Sequence, residues 1–164
     1  MNYNQLKTAA TSIISTEIAT ENLLLELCTM LNKADKKFTW VGFYFMNHAN
    51  KTLHLGPYVG KPTDHEIIPF GKGICGQVAD SGQTYIAEDV QAEENYIACS
   101  IDIRSEIVVP IYTDNVLIGQ LDIDSNVPNA FSTEDRALLE AICLELGKIK
   151  GDELKTIAQK LASQ

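Results

Sequence analysis

Two carboxylates close an otherwise apolar segment of the chain. Residues 117–124 read LIGQLDID, so Asp122 and Asp124 lie two positions apart in a run that is typical of a buried strand. Carboxyl groups held close together compete for protons, which allows one of them to act as a general acid. Two aspartates at a strand end are also common as turn formers or solvated edge charges. The sequence therefore leaves a chemical and a structural interpretation of this pair open.

The four cysteines are the other reactive side chains. They show no C-x-x-C pair and no zinc-finger spacing, which favours reduced thiols in a chain of this length. Cys28 and Cys143 lie within apolar helical stripes, where cysteine usually behaves as a small hydrophobe. Cys75 in GKGICG and Cys99 in YIACS lie instead in glycine-rich or loop segments. These two are the candidate functional thiols.

Residues 71–76, GKGICG, match the dinucleotide-binding pattern G-x-G-x-x-G. That site needs a strand before the motif and a full crossover helix after it. Pro69 precedes the motif closely, and the stretch ADSGQ ends any helix soon afterwards, so we reject a dinucleotide site. No metal site is expected either, because the histidines show no metal-ligand spacing. They are His48, His54 and His65.

The elements that must position these residues can be predicted from periodicity. Helical spacing of apolar residues predicts a helix over 20–34. Aromatic and β-branched residues predict a strand over 38–47, with TLHLGPYVG as its hairpin partner. The segments SEIVVPIYT and VLIGQLDID flank Asp114-Asn115, a two-residue polar turn suited to a second hairpin. Ser132 and Asp135 predict the capped start of a long helix.

Alternation along the strands predicts which side chains share a sheet face. We expect helices to cover one face and the long connections 59–72 and 87–103 to cover the other as lids. The helix-covered face should take Leu117, Leu121 and Ile123. The lid-covered face should take Trp40, Gly42, Tyr44, Glu106, Ile118, Gln120, Asp122 and Asp124. This second face is the candidate ligand pocket.

Length and composition favour one α+β domain over residues 1–164, with a core over about 20–149 and a helical tail over 151–164. A chain of 164 residues with 45% hydrophobic residues can bury one ordinary core. A net charge of -9 argues against nucleic acid and anionic membranes as partners, since both reward a basic face. No signal-like start and no long apolar run are present, so we expect a cytoplasmic protein.

Several of these motifs occur together in one known family. The order WVGFY, GKGICG, YIAC, SEIVVPI, IGQLDID, AFSTEDRALLEAI over residues about 38–145 resembles the GAF-domain family of free methionine-R-sulfoxide reductases. The resemblance implies a compact GAF fold, usually dimeric, with an enclosed pocket for free methionine sulfoxide. It implies no bound cofactor, only an external thiol reductant such as thioredoxin.

The resemblance also implies residue roles. Cys99 in IAC would be the attacking thiol, which passes through a sulfenic acid. Glu106, Asp122 and Asp124 would bind substrate, with Glu106 and Asp124 also catalytic. Trp40 and Tyr44 would line the pocket. The chemistry needs these types together, because the departing oxygen must gain protons and the substrate ammonium needs an anionic partner.

One family cysteine is missing. Members often carry a first pocket cysteine in a G-K-x-A-C-like stretch, where this chain has GKPTDHEII with His65 near that position; Ser100 also replaces a common Asp. Cys75 would then form the resolving disulfide with Cys99, and a helix-start location would favour its thiolate. A non-catalytic GAF sensor and a general thiol redox sensor remain alternative functions.

Overall fold

The computed structural model describes residues 1–96 and 102–164. Helices α1 (Tyr3–Ile14) and α2 (Thr20–Ala34) precede three strands, β1 (Trp40–Asn47), β2 (Thr52–Val59) and β3 (Ile67–Pro69). Then follow α3 (Gly73–Ser81), β4 (Tyr85–Ala87), a 3-10 turn (Val90–Ala92), β5 (Ser105–Thr113), β6 (Val116–Ser125), α4 (Thr133–Ile149) and α5 (Gly151–Ala162). The helix predicted over 20–34 is confirmed with the same bounds.

The six strands form one antiparallel sheet in the order β3-β2-β1-β6-β5-β4. Its two central strands are β1 and β6, which are buried on both faces for most of their length. The β5–β6 hairpin turns at Asp114 and Asn115, both with positive φ, as the two-residue turn requires. The predicted α+β class with a central antiparallel sheet is confirmed.

One sheet face packs against α2, α4 and α5, and α1 packs on α2 and α4. Leucine and isoleucine side chains of these helices meet Val41, Phe43, Leu121 and Ile123 in the larger hydrophobic core. Helix α4 begins with the predicted capping box, in which the Ser132 hydroxyl accepts from the Asp135 amide. The tail helix α5 contributes Leu154 and Ile157 to the same core.

The other face packs against α3 and the connecting segments. This second cluster includes Trp40, Tyr44, Cys75 and Val108. The expected positions of Leu117 and Ile118 were wrong, because Ile118 packs on the helix side and Leu117 on the α3 side. The cause is a bulge: Ile111 pairs with Gly119 and the next residue with Leu117, so Ile118 is skipped and the alternation inverts.

No helix within residues 1–96 or 102–164 combines the length and apolarity needed to cross a membrane.

Candidate active site

The three predicted carboxylates meet on adjacent central strands. Asp124 of β6 pairs with Glu106 of β5 on one side and with Trp40 of β1 on the other. Asp122, two residues earlier, projects from the same face. Glu106, Asp122 and Asp124 are 6%, 3% and 2% exposed, so none of them is a solvated edge charge. The structural interpretation of the Asp122 and Asp124 pair is therefore wrong.

Helix α3 brings a thiol onto this acidic group. The Cys75 thiol donates to Asp122 Oδ2 at 3.2 Å and lies 3.8 Å from Glu106 Oε1. The Gln120 amide donates to the Cys75 carbonyl at 3.1 Å, which ties the first turn of α3 to β6. The strand alternation placed Gln120 on this face, but the sequence gave no function for it. Its position two residues before Asp122 indicates that its amide faces the same site.

Burial dominates the electrostatics of the site. It raises the pKa of Asp122, against hydrogen bonds from Glu106 and Cys75 that lower it. Burial, and then the charge of Asp122, raises the pKa of Asp124 well above its usual range. Asp122 and Asp124 therefore keep their protons to a higher pH than isolated aspartates do.

The expectation that a helix start favours the Cys75 thiolate was wrong. Cys75 does lie in the first turn of α3, yet burial and then the charges of Asp122 and Glu106 raise the pKa of its thiol well above the ordinary value. Two buried carboxylates within 4 Å outweigh the partial charge of one helix end. In this structure Cys75 is a protonated hydrogen-bond donor.

Two carboxylate oxygens in the site have no partner among the described residues. Asp122 Oδ1 and Asp124 Oδ1 are buried and accept no hydrogen bond. Buried polar atoms are normally paired, and each one left unpaired costs about 1 to 3 kcal/mol. A buried group of acids with unpaired oxygens can bind a ligand that brings a hydrogen-bond donor or a positive charge.

An aromatic wall stands beside the acids. Trp40 stacks on Tyr58 at 5.3 Å and on Tyr44 at 6.4 Å between ring centroids. Tyr58 was missed by sequence reasoning, since its position opposite Gly42 depends on the β1–β2 register. Trp40 is 7% exposed and Tyr44 is 1% exposed, so the wall is apolar and largely dry.

Both rings also fix the segment that follows β2. The Trp40 indole N–H donates to the Lys61 carbonyl at 3.1 Å, and the Tyr44 hydroxyl donates to the His65 carbonyl at 2.8 Å. His65 thus lies beside Tyr44 through its backbone. A cavity of about 70 Å³ is lined by Trp40, Lys61 and Asp102, and the last two form an ion pair at 3.3 Å.

Of the predicted site residues, six come together: Trp40, Tyr44, Cys75, Glu106, Asp122 and Asp124. The seventh, Cys99, lies outside the described residues. Cys28 and Cys143 are buried in the larger core, as their apolar stripes predicted.

The fold and this face of the sheet define a GAF domain. A family model described as GAF domain matches residues 15–148. The free methionine-R-sulfoxide reductase of Escherichia coli (strain K12) is 37% identical over 147 residues, which cover 90% of this chain and 83% of that protein. The chain belongs to the free methionine-R-sulfoxide reductase family of GAF domains, and the resemblance drawn from the sequence motifs is confirmed.

Two solved structures support the same assignment. A free methionine-R-sulfoxide reductase from Neisseria meningitidis, solved in complex with its substrate, superposes with a TM-score of 0.84 at 32% identity, over 96% of this chain and 90% of that one. The type II free methionine-R-sulfoxide reductase from Thermoplasma acidophilum gives a TM-score of 0.73 at 31% identity, over 95% and 96% of the two chains.

Proposed function

We propose that this protein reduces free L-methionine-(R)-sulfoxide to methionine, the activity for which its relatives are named. One observation carries the proposal: three buried carboxyl groups with two orphaned oxygens lie beside an aromatic wall and a thiol. This combination suits a small zwitterion that carries an ammonium, a polar sulfoxide oxygen and an apolar methyl group. A pocket for a purely apolar ligand would not bury three acids.

Each part of the substrate has a matching group in this arrangement. The ammonium would pair with Asp122 and Asp124, whose Oδ1 atoms have no hydrogen-bond partner among the described residues. The methyl group would pack on Trp40 and Tyr44, which offer apolar contact without a hydrogen bond to the sulfoxide. Glu106, 6% exposed beside the two aspartates, would contact the sulfoxide oxygen.

The reaction would proceed in two balanced steps. In the first, Cys99 attacks the sulfoxide sulfur while Glu106 or Asp124 protonates the oxygen, and methionine leaves with Cys99 as a sulfenic acid. In the second, the Cys75 thiol attacks the Cys99 sulfur, water leaves and a Cys75–Cys99 disulfide forms. Asp122, 3.2 Å from the Cys75 sulfur, would accept the proton that Cys75 loses. A dithiol, which we propose is thioredoxin, then reduces the disulfide.

Substrate binding would help to activate the thiols. The acids around Cys75 oppose thiolate formation, and the incoming ammonium offsets part of their negative charge. We therefore propose that the thiol becomes reactive mainly in the complex. No prosthetic cofactor is needed in this scheme, because the two thiols supply both electrons.

The decisive assay measures methionine release from racemic methionine sulfoxide with thioredoxin, its reductase and NADPH. Consumption should stop at half of the racemate, because one sulfoxide epimer is the substrate. Cys99→Ser should abolish release, whereas Cys28→Ser, which alters a buried thiol of the helix-side core, should retain it. Equal release by Cys99→Ser and the parent protein would refute the proposal.

A non-catalytic GAF sensor is the rival function. The missing family cysteine and the raised pKa of the Cys75 thiol favour binding over turnover. Calorimetry with methionine sulfoxide distinguishes the two, since tight binding without methionine release would identify a sensor. A general thiol redox sensor would instead oxidise at Cys75 and Cys99 with no requirement for Asp122 or Trp40.

We also propose a cytoplasmic homodimer. Light scattering after size-exclusion chromatography tests the assembly, since a dimer has twice the 18.1 kDa mass of the chain. A mass of 18.1 kDa at working concentration would contradict it.

A further inference from the structure

The site contains a group of ligands that sequence spacing does not reveal. Cys75 Sγ and one carboxylate oxygen each from Glu106 and Asp122 lie within 4.8 Å of one another, and all three residues are buried. They come from α3, β5 and β6, so no short motif joins them. We propose that this group binds a thiophilic divalent cation, with Zn²⁺ as the representative ion.

The distances fit a tetrahedral ion. Zinc binds thiolate sulfur at about 2.3 Å and carboxylate oxygen at about 2.0 Å, so a tetrahedral site holds the sulfur and the oxygen about 3.5 Å apart. In this structure Cys75 Sγ lies 3.2 Å from Asp122 Oδ2 and 3.8 Å from Glu106 Oε1. The two separations bracket the tetrahedral value, so small side-chain shifts would complete the geometry.

A second observation independently points to a cation. Asp122 and Asp124 are 3% and 2% exposed, and within residues 1–96 and 102–164 the buried Oδ1 atom of each has no hydrogen-bond partner. Among the described residues, neither aspartate takes part in an ion pair with lysine, arginine or histidine. No cationic side chain of the described residues therefore neutralises these two carboxyl groups, and a divalent ion that displaced their protons would do so.

The donor set selects the kind of ion. Mg²⁺ and Ca²⁺ prefer six or more oxygen ligands, and a buried thiol is a poor substitute for one of them. Mixed sulfur and oxygen donors in a three-ligand group suit Zn²⁺ and its spectroscopic substitute Co²⁺. The ion would occupy the carboxylates proposed for the substrate ammonium, so it should also inhibit turnover competitively. That consequence alone depends on the proposed function.

The test measures metal binding directly in reduced, metal-free protein. Zn²⁺ affinity is measured by competition with a chromophoric chelator, and Co²⁺ gives a thiolate-to-metal charge-transfer band if sulfur is a ligand. We expect one Zn²⁺ per chain. Cys75→Ser should lower the Zn²⁺ affinity about 100-fold, because removing a direct ligand should cost at least as much as removing a residue that only hydrogen-bonds to a ligand. The charge-transfer band should disappear in the same variant.

Three further variants locate the site. Asp122→Asn keeps the thiol and should weaken Zn²⁺ binding by about tenfold or more, which covers the case that Cys75→Ser fails to fold. Cys28→Ser, the matched buried thiol, should bind like the parent protein, and Cys99→Ser should retain the charge-transfer band. Unchanged Zn²⁺ affinity in Cys75→Ser, or loss of the band in Cys99→Ser alone, would overturn the assignment whatever the outcome of the reductase assay.

Discussion

Asp124→Asn should make the substrate-free protein more stable and much less active. Asp124 is 2% exposed, lies beside Asp122 and keeps one oxygen unpaired. An amide has the same shape without the charge, so it removes the repulsion and most of the desolvation cost. Residues placed for function often reduce stability in this way.

The magnitude follows from the unpaired oxygen and the raised pKa. A buried unsatisfied polar group costs about 1 to 3 kcal/mol, and since the amide still needs partners we expect a gain of about 1 to 2 kcal/mol at pH 8. For a domain of this length, that corresponds to a rise in Tm of about 2 to 8 °C. Loss of the charge paired with a substrate ammonium should lower kcat/KM by about 100-fold.

The stability effect of Asp124 should depend on pH in a direction that follows from its raised pKa. The pKa of Asp124 is raised in the folded protein above 3.8, so the folded state binds more protons than the unfolded state between the two values. The stability contributed by this group is therefore present at low pH and is lost as the pH rises through the folded pKa. The stabilising effect of Asp124→Asn should be largest at pH 8 and should narrow steadily toward pH 5.

Thermal unfolding monitored by circular dichroism, with a chelator present, measures the effect. Asp135→Asn is the matched control, because Asp135 is equally buried but satisfied: Lys37 Nζ donates to it at 2.6 Å and the Tyr3 hydroxyl at 2.8 Å. Although burial opposes ionisation, hydrogen bonds from Lys37, Ser132 and Tyr3 lower the pKa of Asp135. The stability that ionised Asp135 contributes is therefore present above the ordinary pKa of 3.8, and it is lost as the pH falls through the lower pKa of the folded state.

Asp135→Asn should therefore destabilise the protein at pH 8, by about 2 to 3 kcal/mol from the weakened, partly buried ion pair and helix cap. If Asp124→Asn folds normally but has the same or a lower Tm than the parent protein at pH 8, the acids stabilise the fold and the reasoning is wrong.

Three further predictions concern the parts of the site. Gly42→Ala would place a methyl group against Trp40 Cη2, 2.7 Å from Trp40 Cζ3 and 2.8 Å from Tyr58 Cβ. It should raise KM by about tenfold or more by displacing the aromatic wall, and near-ultraviolet circular dichroism should report the shift of the rings. Tyr44→Phe removes the hydrogen bond to the His65 carbonyl, so it should lower the free energy of unfolding in denaturant by about 1 kcal/mol. Amide hydrogen exchange in the segment after β2 should become faster, and unchanged exchange would contradict this prediction. Cys75→Ser should release about one methionine per chain in a single turnover but lose thioredoxin-linked cycling, and full cycling would refute the disulfide assignment.

Much of the fold could be predicted from local patterns. Helical spacing gave α2 with its observed bounds, the Ser132 and Asp135 pair gave the start of α4, and Asp114-Asn115 gave the hairpin turn. Each of these features depends on residues within a few positions of one another, where backbone geometry and capping act. Strand alternation also placed Asp122 and Asp124 on the correct face, because that period is local.

The errors arose where distant contacts decide. The exchange of Leu117 and Ile118 depends on a bulge set by pairing with the partner strand. The pKa of the Cys75 thiol depends on Asp122, 47 residues away in sequence, and on burial by the whole face. A helix-start argument considers one element at a time and therefore gave the wrong sign for that shift.

The sequence by itself determined the elements, their apolar faces and the family, since these are encoded in periodicity and in ordered motifs. Only the tertiary structure decided that a thiol from α3 and carboxylates from β5 and β6 form one buried cluster, in which two carboxylate oxygens have no partner among the described residues. Periodicity fixes the face of the sheet on which a side chain lies. The pKa of that side chain depends on desolvation and charge repulsion, to which all of its neighbours in space contribute. Those neighbours are brought together only when the chain has folded.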